Sequence, residues 1–497
     1  MTVPEWVKDT RRNVYLGLMV LLSGLGWYWG NGLTGDYWYL TWLAPIPILI
    51  ASLYRSPKTS FWLAFAAYFI GRLSWFAYLE TVVSFLPAVL ITLALPYVFA
   101  RIIVYSSTIM LTLDAWYTVL AYPVLMTSFE CLVVTLSPDG SATSMAYPQA
   151  NVLPLIQIAS LTGILGITFL VSFFPSFFAL CWLAYQQKKS WLAKLVSAAI
   201  LLFSASFFFS IHRLSNQSPK SGIKVGLLTL AEKKHHKNHQ TSSQQVKSVI
   251  HEYAQAIAPL ARQGTALVLL PETALWLTPQ NHQTVVSLLK NIALQNHLQL
   301  VVGLANYSHA HARNTALVIN PNGTVVADYI KNHLVSGFER QFTPGHQVGL
   351  FPLAGYKTGV AICKDLDFPG YIREYGREKI TILFVPANDF RVDDWLHSRM
   401  AILRGVENGF SVVRTARQGR LTISDHFGRV LYEANSSGGN KTLLVGNVSF
   451  VHEETQYARL GNWFGLLNLL VGAYFLWLIR VKKPFVTLAN RQPSNGW

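Results

Sequence analysis

Residues 266–274 read Ala-Leu-Val-Leu-Leu-Pro-Glu-Thr-Ala, an apolar run of five stopped by a proline and followed by a carboxylate. A run this short, ended by a turn residue, reads as a strand rather than a helix. Working outward, strands at 225–229 and 298–304 alternate with helices at 242–262 and 281–297. A hairpin of 315–320 and 324–330 follows, turning at Pro321-Asn322-Gly323. Strands at 357–363 and 380–385 flank a polar helical segment at 370–379. A helix at 394–408, a strand at 410–415 and a hairpin at 420–433 close the region. Strands interleaved with helices in this order predict a layered α/β domain.

The flanks of this region have a different composition. Of the 497 residues, 52% are hydrophobic and 13% charged, with a mean hydropathy of +0.32. Soluble chains carry about 25% charged residues, so a wholly soluble chain is excluded, and so is a disordered one. The 33 Gly and 22 Pro follow no short period, which excludes a collagen-like chain. Residues 1–211 hold only seventeen charged side chains, separated by apolar runs near the ~20 residues a helix needs to cross a bilayer. Seven spans are predicted there, at 14–31, 38–54, 60–79, 84–105, 115–136, 161–185 and 193–211, and an eighth at 462–480. The first contains Trp27 and Trp29 and lacks a small-residue cleavage site, so it reads as a retained anchor rather than a signal peptide. The stretch 102–114 reads as an interfacial helix or the tail of the fourth span. The expected domains are 1–211, 212–461, and 462–497 with the last span and a tail.

Basic residues are retained on the cytoplasmic side of a membrane. Lys8, Arg11 and Arg12 precede the first span, Arg55 and Lys58 follow the second, Lys188 and Lys189 the sixth, and Arg480, Lys482 and Lys483 the eighth. The loops near Asp36, Glu80 and 137–160 carry no Lys or Arg. Both termini are therefore expected in the cytoplasm and the α/β domain outside. That domain holds 26 of the 40 basic and 17 of the 24 acidic residues. Its net positive charge suits a surface of anionic headgroups, and an extracytoplasmic place argues against nucleic acid. Lys233, Lys234, His235, His236, Lys237 and His239 are too lysine-rich and irregular for a metal site and read as a solvated loop. Neither a metal nor another cofactor is expected. Cys131, Cys181 and Cys363 are too few and too far apart for a disulfide scaffold.

Three chemically capable residues stand at predicted strand ends, where open α/β sheets place their sites. Glu272 follows the strand quoted above, Lys331 ends Thr-Val-Val-Ala-Asp-Tyr-Ile, and Cys363 ends Gly-Val-Ala-Ile. Singly, each has an ordinary explanation: a surface carboxylate, a solvated lysine, a buried free cysteine. A thiol needs a base or a nearby cation to react at neutral pH, and the other two residues supply them.

Pro-Glu-Thr-Ala at 271–274, Tyr-Ile-Lys-Asn-His-Leu-Val around Lys331 and Gly-Val-Ala-Ile-Cys-Lys-Asp around Cys363 together resemble the Glu-Lys-Cys triad of the nitrilase superfamily. With membrane spans on both sides, the whole chain is similar to the bacterial apolipoprotein N-acyltransferase family. Supporting stretches are 156–163 with Gly166, Asn320-Pro321-Asn322-Gly323, and Pro386-Ala387-Asn388-Asp389. The resemblance implies an α-β-β-α sandwich beside an eight-span membrane domain, in the bacterial inner membrane, with no cofactor. It implies that Cys363 takes an acyl chain from a membrane phospholipid as a thioester and passes it to the α-amino group of an apolipoprotein's diacylglyceryl cysteine. Glu272 would be the base, and Lys331 would stabilise first the thiolate and then the oxyanion.

The sequence departs from that family at two places. The cysteine is followed there by Tyr-Glu and here by Lys364-Asp365; Asp365 is expected to support the site, and Lys364 to add a second cation beside the thiolate. A further family Glu, in Pro-Phe-Gly-Glu, is matched by Glu339 in Ser336-Gly337-Phe338-Glu339, expected to position Lys331 or screen the site. These departures fit a divergent paralogue. The alternatives are a membrane-anchored amidase or nitrilase-type hydrolase and a non-catalytic lipid-binding paralogue. Arg72, inside the third predicted span, is the candidate for the donor's phosphate; otherwise it snorkels to the interface or pairs with Glu80. A monomer is expected.

Overall fold

The computed structural model describes residues 12–215, 222–232 and 243–482. The Lys233–His239 cluster, Lys8, Arg11 and Lys483 lie outside the described residues. The chain divides into two units. One comprises Met1–Ser137, Thr143–Arg213 and Asn462–Trp497, the other Pro138–Ala142 and Leu214–Gly461.

In the first unit, five helices among the described residues are long and apolar enough to cross a membrane: Phe85–Leu113, Trp116–Leu136, Ile164–Gln186, Leu192–Ser215 and Trp463–Val481. The expected first span folds as the helix Arg12–Gly30. The second is broken into Leu40–Leu43 and Pro45–Ser52, where prolines at 45 and 47 cannot continue the helical ladder. The third is broken as well, into Pro57–Arg72, a 3₁₀ turn Leu73–Trp75 and Phe76–Val83. The stretch 102–114 forms the last turns of Phe85–Leu113, ended by Asp114 in the left-handed conformation. Trp27 anchors the packing, its ring edge-on to Tyr68 at 5.0 Å and to Phe99 at 5.6 Å.

Among its described residues the second unit contains thirteen strands: β1 (Gly222–Thr229), β2 (Leu267–Leu269), β3 (Leu275–Leu277), β4 (Gln299–Asn306), β5 (Arg313–Ile319), β6 (Val325–Ile330), β7 (Gly349–Leu353), β8 (Tyr356–Val360), β9 (Ile382–Asn388), β10 (Ser411–Arg417), β11 (Arg420–Ser424), β12 (Val430–Asn435) and β13 (Thr442–Ser449). One sheet runs β13-β1-β2-β4-β5-β6 with β3 beside β4; the other runs β12-β11-β10-β9-β8-β7. Successive side chains of a strand point to opposite faces, and here both faces are buried. Val225, Leu227, Leu267, Leu269 and Val301 meet Val360, Ile362, Phe384 and Val413 between the sheets. Leu228, Val268, Leu300 and Val302 point the other way, onto helices Ser243–Arg262 and His282–Asn296. Leu383, Val385 and Val412 likewise face helices Pro369–Arg377 and Asp394–Asn408. The order of layers is α-β-β-α. Strands β3, β7 and β13 have no counterpart in the sequence reading.

Candidate active site

The two parallel strands β2 and β4 carry the first functional group. Glu272 lies three residues beyond β2, and Gly303 of β4 makes its placement possible: a Cβ at 303 would overlap the Pro271 carbonyl and come within 2.6 Å of the Glu272 Cα. Arg417 fixes the same loop by donating to the carbonyls of Glu272 at 3.3 Å and Thr273 at 2.9 Å. Lys331 directly follows β6, and its own N–H donates to the Asn314 carbonyl.

Cys363 is not the end of a strand, as the sequence suggested. Strand β8 stops at Val360, and Cys363 opens a 3₁₀ turn, Cys363–Asp367, at φ 44°. That left-handed backbone is uncommon for a residue with a side chain and needs surroundings that hold it. Asp365 supplies them. One of its oxygens accepts from the Ile362 N–H at 3.0 Å and from the Tyr329 hydroxyl at 2.6 Å; the other accepts from the N–H groups of Asn332 and His333 at 3.1 and 2.8 Å. One carboxylate thus ties the turn of Cys363 to the segment following Lys331.

The Lys331 ammonium is clasped by two carboxylates, 2.7 Å from Glu272 Oε1 and 2.7 Å from Glu339 Oε2. Asn314 Nδ2 closes the ring, donating to Glu272 Oε1 at 2.7 Å and Glu339 Oε1 at 2.6 Å. The sequence reading missed Asn314, because a lone Asn opening a strand carries no distinguishing signal. All four side chains are buried or nearly so. Burial pushes the Glu272 carboxyl up, and the like charge of Glu339 adds to this; Lys331 only partly opposes them. Burial alone would lower Lys331, but the paired carboxylates outweigh it and hold the ammonium well above its usual range. Burial also pushes the Cys363 thiol well above the usual range, with Glu272 adding and Lys331 only partly offsetting. At rest the site therefore holds a protonated thiol, a charged ammonium and a carboxylate with enhanced proton affinity.

Lys364 does not face the thiol. Its ammonium, in a side chain 7% exposed, lies 2.7 Å from Asp139 and 3.5 Å from Asp367. The second cation that acts on Cys363 is Arg414, held by Asp389 at 2.9 and 2.5 Å. Arg414 stands in β10 directly after Val412 and Val413, and a charge buried in a strand needs a partner. That was the available signal. His397 lies 3.1 Å from Asp393 and 3.7 Å from Asp389. Burial would lower its pKa, but the carboxylates prevail and raise it to about 9. Its contribution to stability is fully present below the unfolded-state value near 6.5 and lost as pH rises through about 9, on the order of 3 kcal/mol. Denaturant midpoints are expected to fall between pH 6.5 and 9 in the native chain and to fall less in His397→Gln.

Arg72 is buried, with its guanidinium 4.7 Å over the Trp75 ring, and Glu80 is exposed. Among the described residues, no group of three or more His, Cys, Asp or Glu is arranged to hold a metal ion.

The α-β-β-α fold is that of the nitrilase superfamily: the profile of the family "Carbon-nitrogen hydrolase" matches residues 234–453, and "Apolipoprotein N-acyltransferase N-terminal domain" matches 17–177. An apolipoprotein N-acyltransferase of Geobacter metallireducens is 24% identical over 86% of this chain and 88% of its own length. One of Pasteurella multocida is 23% identical over 94% and 96%. A solved amidase from Nesterenkonia sp. aligns with 49% of this chain and 95% of its own, at 20% identity and a TM-score of 0.41. The chain belongs to the apolipoprotein N-acyltransferase family, within the nitrilase superfamily of enzymes.

Proposed function

We propose that this enzyme moves a fatty acyl chain from a membrane phospholipid to the α-amino group of the diacylglyceryl cysteine of an apolipoprotein, through a thioester on Cys363. The observation that carries this reading is the Glu272–Lys331–Glu339 clasp beside a half-buried thiol, in a chain that also matches the family's membrane domain. In the first step Glu272 takes the thiol proton as sulfur attacks the ester carbonyl, and the Lys331 ammonium stabilises the oxyanion. The lysophospholipid alkoxide then leaves with the proton from Glu272. In the second step the acceptor amine attacks the thioester, gives a proton to Glu272, and the thiolate departs to recover it. Glu339 and Asn314 keep Lys331 charged and aimed. The thiol's high pKa suits this order, because a proton transferred during attack requires no stored thiolate.

The distribution of Lys and Arg supports cytoplasmic termini and an extracytoplasmic α/β unit in the bacterial inner membrane. The test is intact mass spectrometry of purified protein after exposure to phospholipid vesicles. An increase of one acyl mass, released by an amine-bearing lipopeptide as the N-acyl product, is expected. Release by water alone would favour an amidase-like hydrolase, and no adduct would remove the mechanism.

Arg72 enters this reading as the ligand of the donor's phosphate. Its Nε and Nη2 are buried without a hydrogen-bond partner among the described residues, and a cation so placed in a membrane domain favours an anion. Arg72→Ala is expected to raise the apparent KM for phospholipid about tenfold, the scale of one charge-assisted hydrogen bond of ~1.5 kcal/mol. It should leave the reaction of Cys363 with iodoacetamide unchanged. Equal loss of both would make Arg72 a packing residue.

A further inference from the structure

Pro138–Ala142 is a five-residue strap in the loop between helices Trp116–Leu136 and Ile164–Gln186, yet it belongs to the α/β unit. It grips the turn that carries the nucleophile. The Ser141 N–H and hydroxyl both donate to the Asp367 carbonyl, at 2.8 and 2.6 Å. Asp139 Oδ1 receives the Lys364 ammonium at 2.7 Å, and Asp367 holds the same ammonium at 3.5 Å. Gly140 adopts φ 52°, and a Cβ there would overlap the Asp367 carbonyl oxygen, so the backbone must lie directly on the turn. Arg404, paired with Glu407, reaches the Ser141 hydroxyl at 3.5 Å.

We propose that Asp139 and Lys364 form a clamp that positions the Cys363 turn, making the strap part of the active-site scaffold. Lys364 is adjacent in sequence to Cys363, whose backbone is held in a left-handed conformation. Its charge is spent on the strap rather than on the thiol. The pair is well placed to matter, since Lys364 is 7% exposed and removing Asp139 leaves its ammonium only the more distant Asp367 at 3.5 Å. Burial works against the Lys364 charge, but Asp367 and Asp139 overcome this and keep it protonated. Lys364 and Asp139 are positioning residues here, since they act through the turn. A nucleophile displaced by about 1 Å loses on the order of 10² in rate.

The acyl-transfer part of this inference rests on the proposed function, so the test uses two readouts on the full-length protein carrying Cys131→Ala and Cys181→Ala. One is Cys363 alkylation by iodoacetamide, which needs no knowledge of the natural substrate; the other is single-turnover acylation by phospholipid. Asp139→Asn, Lys364→Met and the double variant form a cycle. Asp139 is one-third exposed, so its replacement is the mild variant that keeps the chain folded. Each single variant is expected to lower acylation about 10- to 100-fold at unchanged phospholipid KM, and to change the alkylation rate as well. The double variant should be no worse than the poorer single. Additive losses, or a lowered melting temperature with both rates at wild-type values, would overturn the clamp. If the wild type forms no acyl adduct, the proposed function fails, while the alkylation cycle still decides the clamp.

Discussion

Cys363→Ala is expected to abolish acyl-enzyme formation and acyl transfer, by about 10⁴-fold or more, while membrane insertion and the melting temperature stay near wild type. Losing the nucleophile of a covalent mechanism removes the intermediate itself, so the loss is far larger than that of one stabilising contact. The side chain is small and partly exposed, and its turn is held by Asp365 rather than by the sulfur, so little stability depends on it. The other cysteines serve as controls. Cys131 and Cys181 lie in helices of the first unit, and their replacement by Ala is expected to cost little activity. Near-normal turnover of Cys363→Ala, measured by single-turnover mass spectrometry, would sink the thioester.

Glu272→Gln is expected to slow acyl-enzyme formation about 10²- to 10⁴-fold, the usual reach of a positioned general base. The thiol is kept protonated by burial, so without an acceptor for its proton it has no route to attack at neutral pH. The sign with pH follows from the same groups. The base works only as carboxylate, and burial raises its pKa, so wild-type acylation should climb as pH rises past the ordinary carboxylate range. In Glu272→Gln that limb should vanish, leaving only a slow rise at high pH as the thiol ionises by itself. Lys331 keeps Glu339 in this variant, so lipid binding should survive. An unchanged single-turnover rate would mean that the proton goes elsewhere.

The hydropathy pattern separated a membrane part from an α/β part because both are written locally: long apolar runs in one, short strands alternating with helices in the other. The strands it missed are short or weakly patterned. β3 has three residues, and β13 is interrupted by Gly446 and Asn447; it earns its place by pairing along all of β1. Two expected spans broke where prolines or a turn interrupted an apolar run, which average hydropathy does not register.

By itself the sequence determined that a carboxylate, an ammonium and a thiol come in a fixed order after three of the strands, since each is announced by the strand-like run before it. Only the tertiary structure decided what surrounds them. Asn314 closes the clasp, Arg414 with Asp389 is the further cation acting on the thiol, and Lys364 turns away to a partner 225 residues distant in sequence. Such pairings have no periodicity and no local composition to betray them. They arise because a buried charge must find a counter-charge wherever the chain has folded to bring one within reach.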